Sequence, residues 1–249
     1  MGNSIARQFH REAEDGRDQS IAILLCNQNI DVNVTVDPDE RSVLHKAASK
    51  GHYEVCDALL TFKGSPALNV NLADANGSTA LHAAAAEGQL RIVERLCCDE
   101  RVDATVQDRY GESALHDAAA RQGREQVIDA LLAMGGGRID VNAPSATGTT
   151  ALHKAISAGV AENVKALLKA SEIDVNASDD VGDTALHEVG LSGFFTAVAC
   201  CIRELAVEIY EEAYKNNKCK PQVNKYMRVY KFIENRKLES TCAMHLFVV

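Results

Sequence analysis

Five histidines recur at positions 45, 82, 116, 153 and 187, at intervals of 37, 34, 37 and 34 residues. Imidazole is the side chain best suited to bind metal or move protons near neutral pH. A zinc site, however, needs three or four ligands converging on one point, commonly with two of them a few residues apart. None of the five has a His or Cys partner at such spacing. Residues that recur once per repeating unit spread along a line rather than converge, so neither a metal nor a cofactor is expected. The eight cysteines include the adjacent pairs Cys97/Cys98 and Cys200/Cys201 and no C-x-x-C, which predicts reduced, mostly buried thiols rather than a disulfide framework. No G-x-S-x-G, H-E-x-x-H or phosphate-binding G-x-x-x-x-G-K-[ST] occurs, and the glycine run at 135–137 follows a helical pattern instead of opening one. No catalytic residue, and no enzyme, is expected.

The surroundings of the histidines explain them better. "SVLHKAASKG", "TALHAAAAEG", "SALHDAAARQG", "TALHKAISAG" and "TALHEVGLSG" are copies of one phrase, with glycine six residues after the histidine in four of them and one residue later, at Gly123, in the third. Downstream come leucine pairs and the "D-V-N" of Asn33, Asn142 and Asn176, with Asn71 in the matching "N-V-N". The two long intervals reflect insertions in loops. A repeat of this period signals a stacked array, in which no unit can bury its faces alone.

The unit running from Asp74 to Asp103 shows why. Gly77 suits a turn requiring positive φ, and Thr79 is placed as an N-cap to a short helix whose buried stripe is Leu81, Ala84 and Ala85. Its partner helix carries Ile92, Val93, Leu96 and Cys97 on one face. Neither reaches the ~12 to 15 residues at which an isolated helix holds in water. Alanines let the helices approach closely, and stacking on neighbours must supply the rest.

The phrase resembles the ankyrin repeat, with Ala or Val at the consensus proline (Val43, Ala80, Ala114, Ala151, Ala185). The resemblance covers roughly residues 1–204 and implies an all-α solenoid of about six helix-turn-helix units with short β-hairpin loops and a C-terminal helical extension. The division expected is a degenerate capping unit over 1–36, five repeats over 37–204 starting near 37, 74, 108, 145 and 179, and an extension over 205–239. In the first unit Phe9 replaces leucine, and Arg7, Arg11, Glu12 and Glu14 are expected to keep the outer surface wet. The resemblance further implies structural histidines, a possible hydroxylation site at each Asn of the "D-V-N", and a non-enzymatic adaptor that binds another protein through hairpin tips and the concave face of the first helices. "MGNSIA" lacks the Ser or Thr at position 6 that myristoylation of Gly2 wants, and an unmodified start is expected.

Variable positions between consensus residues have no packing duty and are the places to look for recognition. The candidates are Arg41, Lys50, Asn76, Glu87, Arg109, Tyr110, Glu112 and Arg121, with Arg109, Tyr110 and Arg121 first because Tyr and Arg dominate binding hot spots.

The end of the chain reads differently. Residues 215–237 hold eight basic side chains and one acid, +7, so the remainder of a chain at −9 stands at −16. In "QVNKYMRVYKFIENRKL" the apolar Val223, Met227, Tyr230 and Ile233 share a helical face beside Lys225, Arg228 and Lys231, with Arg236 and Lys237 following. Two roles compete for this basic helix: a cap over the last repeat, or a contact with an acidic membrane surface or acidic partner that makes the chain a targeting module of a larger protein. "STCAMHLFVV" at 240–249 echoes the opening of a further repeat, and the chain is expected to be a fragment unless this apolar tail tucks against the basic helix. The acidic repeats disfavour nucleic acid, since phosphate binding rests on Lys and Arg. Absent a signal peptide or long apolar run, a monomeric cytoplasmic or nuclear protein is expected.

Overall fold

The computed structural model describes residues 2–26, 30–134 and 139–185. These form α1 (Gly2–Glu14), α2 (Asp18–Leu25), α3 (Val43–Lys50), α4 (Tyr53–Thr61), α5 (Ala80–Glu87), α6 (Leu90–Cys97), α7 (Ala114–Ala119), α8 (Glu125–Met134), α9 (Ala151–Ser157) and α10 (Ala161–Leu168). Odd-numbered helices pack on one another in chain order to form an inner row, even-numbered helices form an outer row, and each pair is joined by a tight turn. Beyond α10 the chain enters a last described hairpin at Ser178–Thr184. The hairpins are short, with single antiparallel bridges at Thr35–Ser42, Gln107–Ser113 and Ser178–Thr184.

Between inner helices the contact is made by small residues: Ala47, Ala48, Ala84, Ala85, Ala118 and Ala119 are all fully buried. Between outer helices it is made by larger ones, among them Leu59, Leu96, Leu131 and Leu167. Small inside and large outside draws the inner row closer than the outer row, so the inner face is concave.

Among the described residues, His45, His82, His116 and His153 each lock a helix start to the next unit. In α5 the Thr79 N–H donates to His82 Nδ1 at 3.2 Å, and the Thr79 hydroxyl lies 2.9 Å from the same nitrogen. An acceptor Nδ1 leaves the proton on Nε2, which donates to the Glu112 carbonyl of the following hairpin at 3.1 Å. The arrangement repeats at His45 (Ser42; Ser78 carbonyl), His116 (Ser113; Thr149 carbonyl) and His153 (Thr150; Asp183 carbonyl). Thr79→Ala is expected to lower stability by about 1 kcal/mol, the usual cost of a lost N-cap, in equilibrium urea unfolding.

The first unit departs from the pattern. Arg7 stands where the cap belongs, α1 runs straight through, and His10 keeps its bond to the Val34 carbonyl (2.8 Å) while its buried Nδ1 has no partner. Glu12 is not on the wet surface as expected: it is buried, 8% exposed, with Arg17 at 3.3 Å.

The inner helices also need donors at their C-terminal ends, where carbonyls lack helical partners. The first residue after the glycine that follows each inner helix supplies one from the next unit: His52 to the Glu14 carbonyl (2.8 Å), Gln89 to Ser49 (3.3 Å) and Arg124 to Ala86 (3.0 Å). In the next unit that position is Val160, which has no donor. The task passes to Asn163, fully buried in α10, whose Nδ2 reaches the carbonyls of Ala118, Ala119 and Arg121 at 3.0, 3.1 and 2.6 Å.

The second helix expected after His187, the basic helix with Lys225, Arg228, Lys231, Arg236 and Lys237, and the 240–249 echo lie outside the described residues. Among the described residues no helix is long and apolar enough to cross a membrane.

Candidate functional site

The hairpin tips form a ridge along one edge of the inner face. An aspartate opens most of them: Asp74 Oδ1 accepts from the N–H groups of Asn76 and Ser78, Asp108 from Tyr110 and Glu112, and Asp179 from Val181 and Asp183. Successive tips are then joined by backbone bonds, Ala75 N–H to Asp39 O (2.8 Å), Arg109 to Asn76 (2.9 Å), Ala146 to Tyr110 (2.8 Å) and Asp180 to Thr147 (3.2 Å). The approach is so close that a Cβ on Gly111, itself at φ +70°, would sit 2.4 Å from the Ala146 nitrogen. The ridge is therefore ordered before any partner arrives. It presents Asn76, Tyr110, Thr147 and Val181 outward, Tyr110 65% and Val181 84% exposed.

Below the ridge lies a concavity of about 200 Å³ that brings together four of the residues singled out by sequence, Arg41, Asn76, Glu87 and Arg121, over a floor of Ala83 and Ala86. Arg121 spans from α7 to Glu87 of α5 at 3.0 Å, and Arg41 stands 3.7 Å from Asp39 and 3.9 Å from Asp74. The other four candidates lie elsewhere. Arg109 and Tyr110 are on the ridge, Lys50 is exposed at the end of α3, and Glu112 is held by Lys154 at 2.5 Å.

Sequence reading passed over the residue directly after each histidine: Lys46, Ala83, Asp117 and Lys154. It faces the same concave surface, one helical turn before the positions chosen, and its variation from unit to unit was the signal. Lys46 pairs with Asp37 and Glu14 (3.2 and 3.4 Å) and Lys154 with Glu112. Asp117 is half-buried on the wall of the concavity, and its carboxylate has no hydrogen-bond or ion-pair partner among the described residues. Burial, then the charges of Asp108 and Glu112, push its pKa up to about 7 against the weaker pull of Arg121 and Lys154.

On the opposite edge the "D-V-N" asparagines tie neighbouring loops together. Asn71 donates to the Arg101 carbonyl and accepts from the Asp103 N–H, both at 2.8 Å, and Asn33 and Asn142 make the same pair of bonds, each to the loop of the unit that follows it. Their amides are structural cross-braces.

The family model for ankyrin repeats (3 copies) matches residues 9–108, 98–179 and 115–201. Among solved structures, an ankyrin repeat protein aligns with TM-score 0.67 and 23% identity over 78% of this chain and 96% of its own. An ankyrin repeat domain from Acinetobacter baumannii aligns at 0.65 and 24%, over 78% and 96%. The ankyrin repeat domain of Bcl-3, a member of the IkappaB family, aligns at 0.66 and 23%, over 78% and 84%. Capped inner helices, bridged hairpins and a match spanning more than half the sequence agree: the chain belongs to the ankyrin-repeat family.

Proposed function

We propose that this protein is a non-enzymatic adaptor that binds a partner protein along the hairpin ridge and the concavity beneath it. Ankyrin repeats are generally protein-interaction modules, and one observation supports that role for this surface in particular. The tips are cross-linked by backbone hydrogen bonds into a fixed ridge that nevertheless leaves a tyrosine 65% exposed at its centre. A preorganised ridge loses little entropy on binding, and an exposed aromatic flanked by arginine is the usual make-up of a hot spot. A cytoplasmic or nuclear setting, where the thiols stay reduced, fits this role.

The test begins with a partner captured by proximity labelling and then purified. Tyr110→Ala is expected to weaken its binding by about tenfold or more in calorimetry, with the helical circular dichroism unchanged because the residue lies on a hairpin tip, outside the helices, and is 65% exposed. Unaltered affinity in Tyr110→Ala, Arg109→Ala and Arg121→Ala alike would remove the surface from consideration.

A further inference from the structure

This inference rests on the proposed partner-binding role and deepens it. We infer that the concavity is a socket for one lysine or arginine side chain of the partner, held by Asp117. Along the inner row, the position after the histidine carries a lysine in α3 and in α9, and each lysine folds over the concave face onto an acidic group: Lys46 onto Asp37 and Glu14, Lys154 onto Glu112. In α5 the same position is Ala83. The long cationic side chain is missing there, and the space above Ala83 and Ala86 is the cavity of about 200 Å³, enough for a single extended side chain.

The wall of that space is the carboxylate of Asp117, one unit along. Arg121, four residues on and just past the end of α7, is drawn across to Glu87, at 3.0 Å. Asp117 is thus an unpaired acid facing a lysine-sized gap, where the charges of Asp108 and Glu112 outweigh those of Arg121 and Lys154. A half-buried carboxylate without a counter-ion is costly to keep charged, and a cation entering the socket relieves that cost while its alkyl stem covers the two alanines. The opposite rim holds Arg41, which already leans towards Asp39 and Asp74, so an acidic side chain would meet the unpaired carboxylate of Asp117 at the wall. The chemistry selects a basic residue.

The full-length chain can be tested without knowing the natural partner. A random peptide library displayed on phage is selected against it, and the binders are synthesised and titrated by fluorescence polarisation. Three variants decide: Asp117→Asn removes the charge, Ala83→Lys restores the missing lysine and fills the socket, and Tyr110→Ala reports on the ridge; a fourth, Asp117→Lys, serves the charge swap. Support is a binder carrying a Lys or Arg that loses about tenfold in affinity on both socket variants, and whose Lys/Arg→Glu form recovers binding to Asp117→Lys. Both socket substitutions leave the core untouched, and thermal melts confirm folding. Binders that weaken on Tyr110→Ala yet ignore Asp117→Asn and Ala83→Lys overturn the socket and leave the ridge reading intact. A selection whose binders respond to none of the three, or that yields none, overturns both.

Discussion

Asn163→Val is expected to lower the unfolding free energy by about 2 to 3 kcal/mol, the largest single-residue effect anticipated outside the leucine core. Helices α4, α6 and α8 carry Val55, Ile92 and Val127 at this position, all buried, so by family pattern valine looks ideal. Asn163 is there because α7 ends differently. The other inner helices close with the glycine six residues after the histidine or its equivalent; His52 and Gln89 N–H groups then bond back to the carbonyls of Ala47 and Ala84. The residue added before Gly123 prevents that closure, α7 stops at Ala119, and the carbonyls of Ala118, Ala119 and Arg121 turn towards α10. One buried amide serves all three. Valine would take the donor from the Ala119 and Arg121 carbonyls, while the Ala118 carbonyl keeps the Arg121 N–H at 3.3 Å; each stranded carbonyl costs on the order of 1 to 3 kcal/mol, partly offset by removing the Asn163 Oδ1, which has no partner of its own. Asn163 is thereby coupled to Val160 and to the insertion. Deleting Gln122 to restore the six-residue spacing, with Val160→Gln to supply the usual donor, is expected to recover more than half the loss in the Asn163→Val background. An unmoved urea midpoint in the single variant would show that the amide carries none of this burden.

That coupling marks the boundary of what sequence alone could reveal. The repeat, the inner and outer faces and the Thr79 cap were legible because each follows from local spacing: Leu81, Ala84 and Ala85 are buried as their helical periodicity requires. Four of the eight candidate residues converge on one concavity because variable positions in successive units are stacked in register. Asn163 was not legible, since its role depends on a helix end about 40 residues earlier. Asp117 was missed for a related reason. Its neighbour Arg121 has the spacing of an i, i+4 partner, and only the three-dimensional stack reveals that the arginine is taken by Glu87. Glu12, read as a solvated charge, is buried because Arg17 folds over it. Side-chain partnerships between units are set by the stack, whereas helices and caps are set within the unit.

Acid should unfold the array well before carboxylates of ordinary pKa titrate. His10, His45, His82 and His116 all have pKa values lowered from 6.5, burial being the leading cause, with bonds to the carbonyls of Val34, Ser78, Glu112 and Thr149 pulling the other way. For the last three the geometry gives the same sign: Nδ1 accepts from the capping residue's N–H, so a proton there would break the helix start. Well above pH 6.5 these imidazoles are neutral folded and unfolded, and their contribution is fully present. As pH falls below 6.5 the unfolded chain takes up protons that the folded chain refuses, and stability drops by up to about 1.4 kcal/mol per pH unit for each histidine, until the folded pKa is reached. Asp117 opposes this. With its folded pKa raised to about 7 from 3.8, it binds a proton in the folded state first and adds stability as pH falls across that range. Four groups against one leaves a net loss. Urea midpoints are expected to change little from pH 8 to 7, where the proton taken up by folded Asp117 offsets the first protons taken up by unfolded imidazoles, and to fall steeply between about pH 6.5 and 5. His82→Gln should make that fall shallower, and Asp117→Asn should steepen it by removing the opposing carboxyl group. Midpoints that hold steady or rise from pH 6.5 to 5 would mean that the histidines accept protons in place, which the caps as observed do not allow.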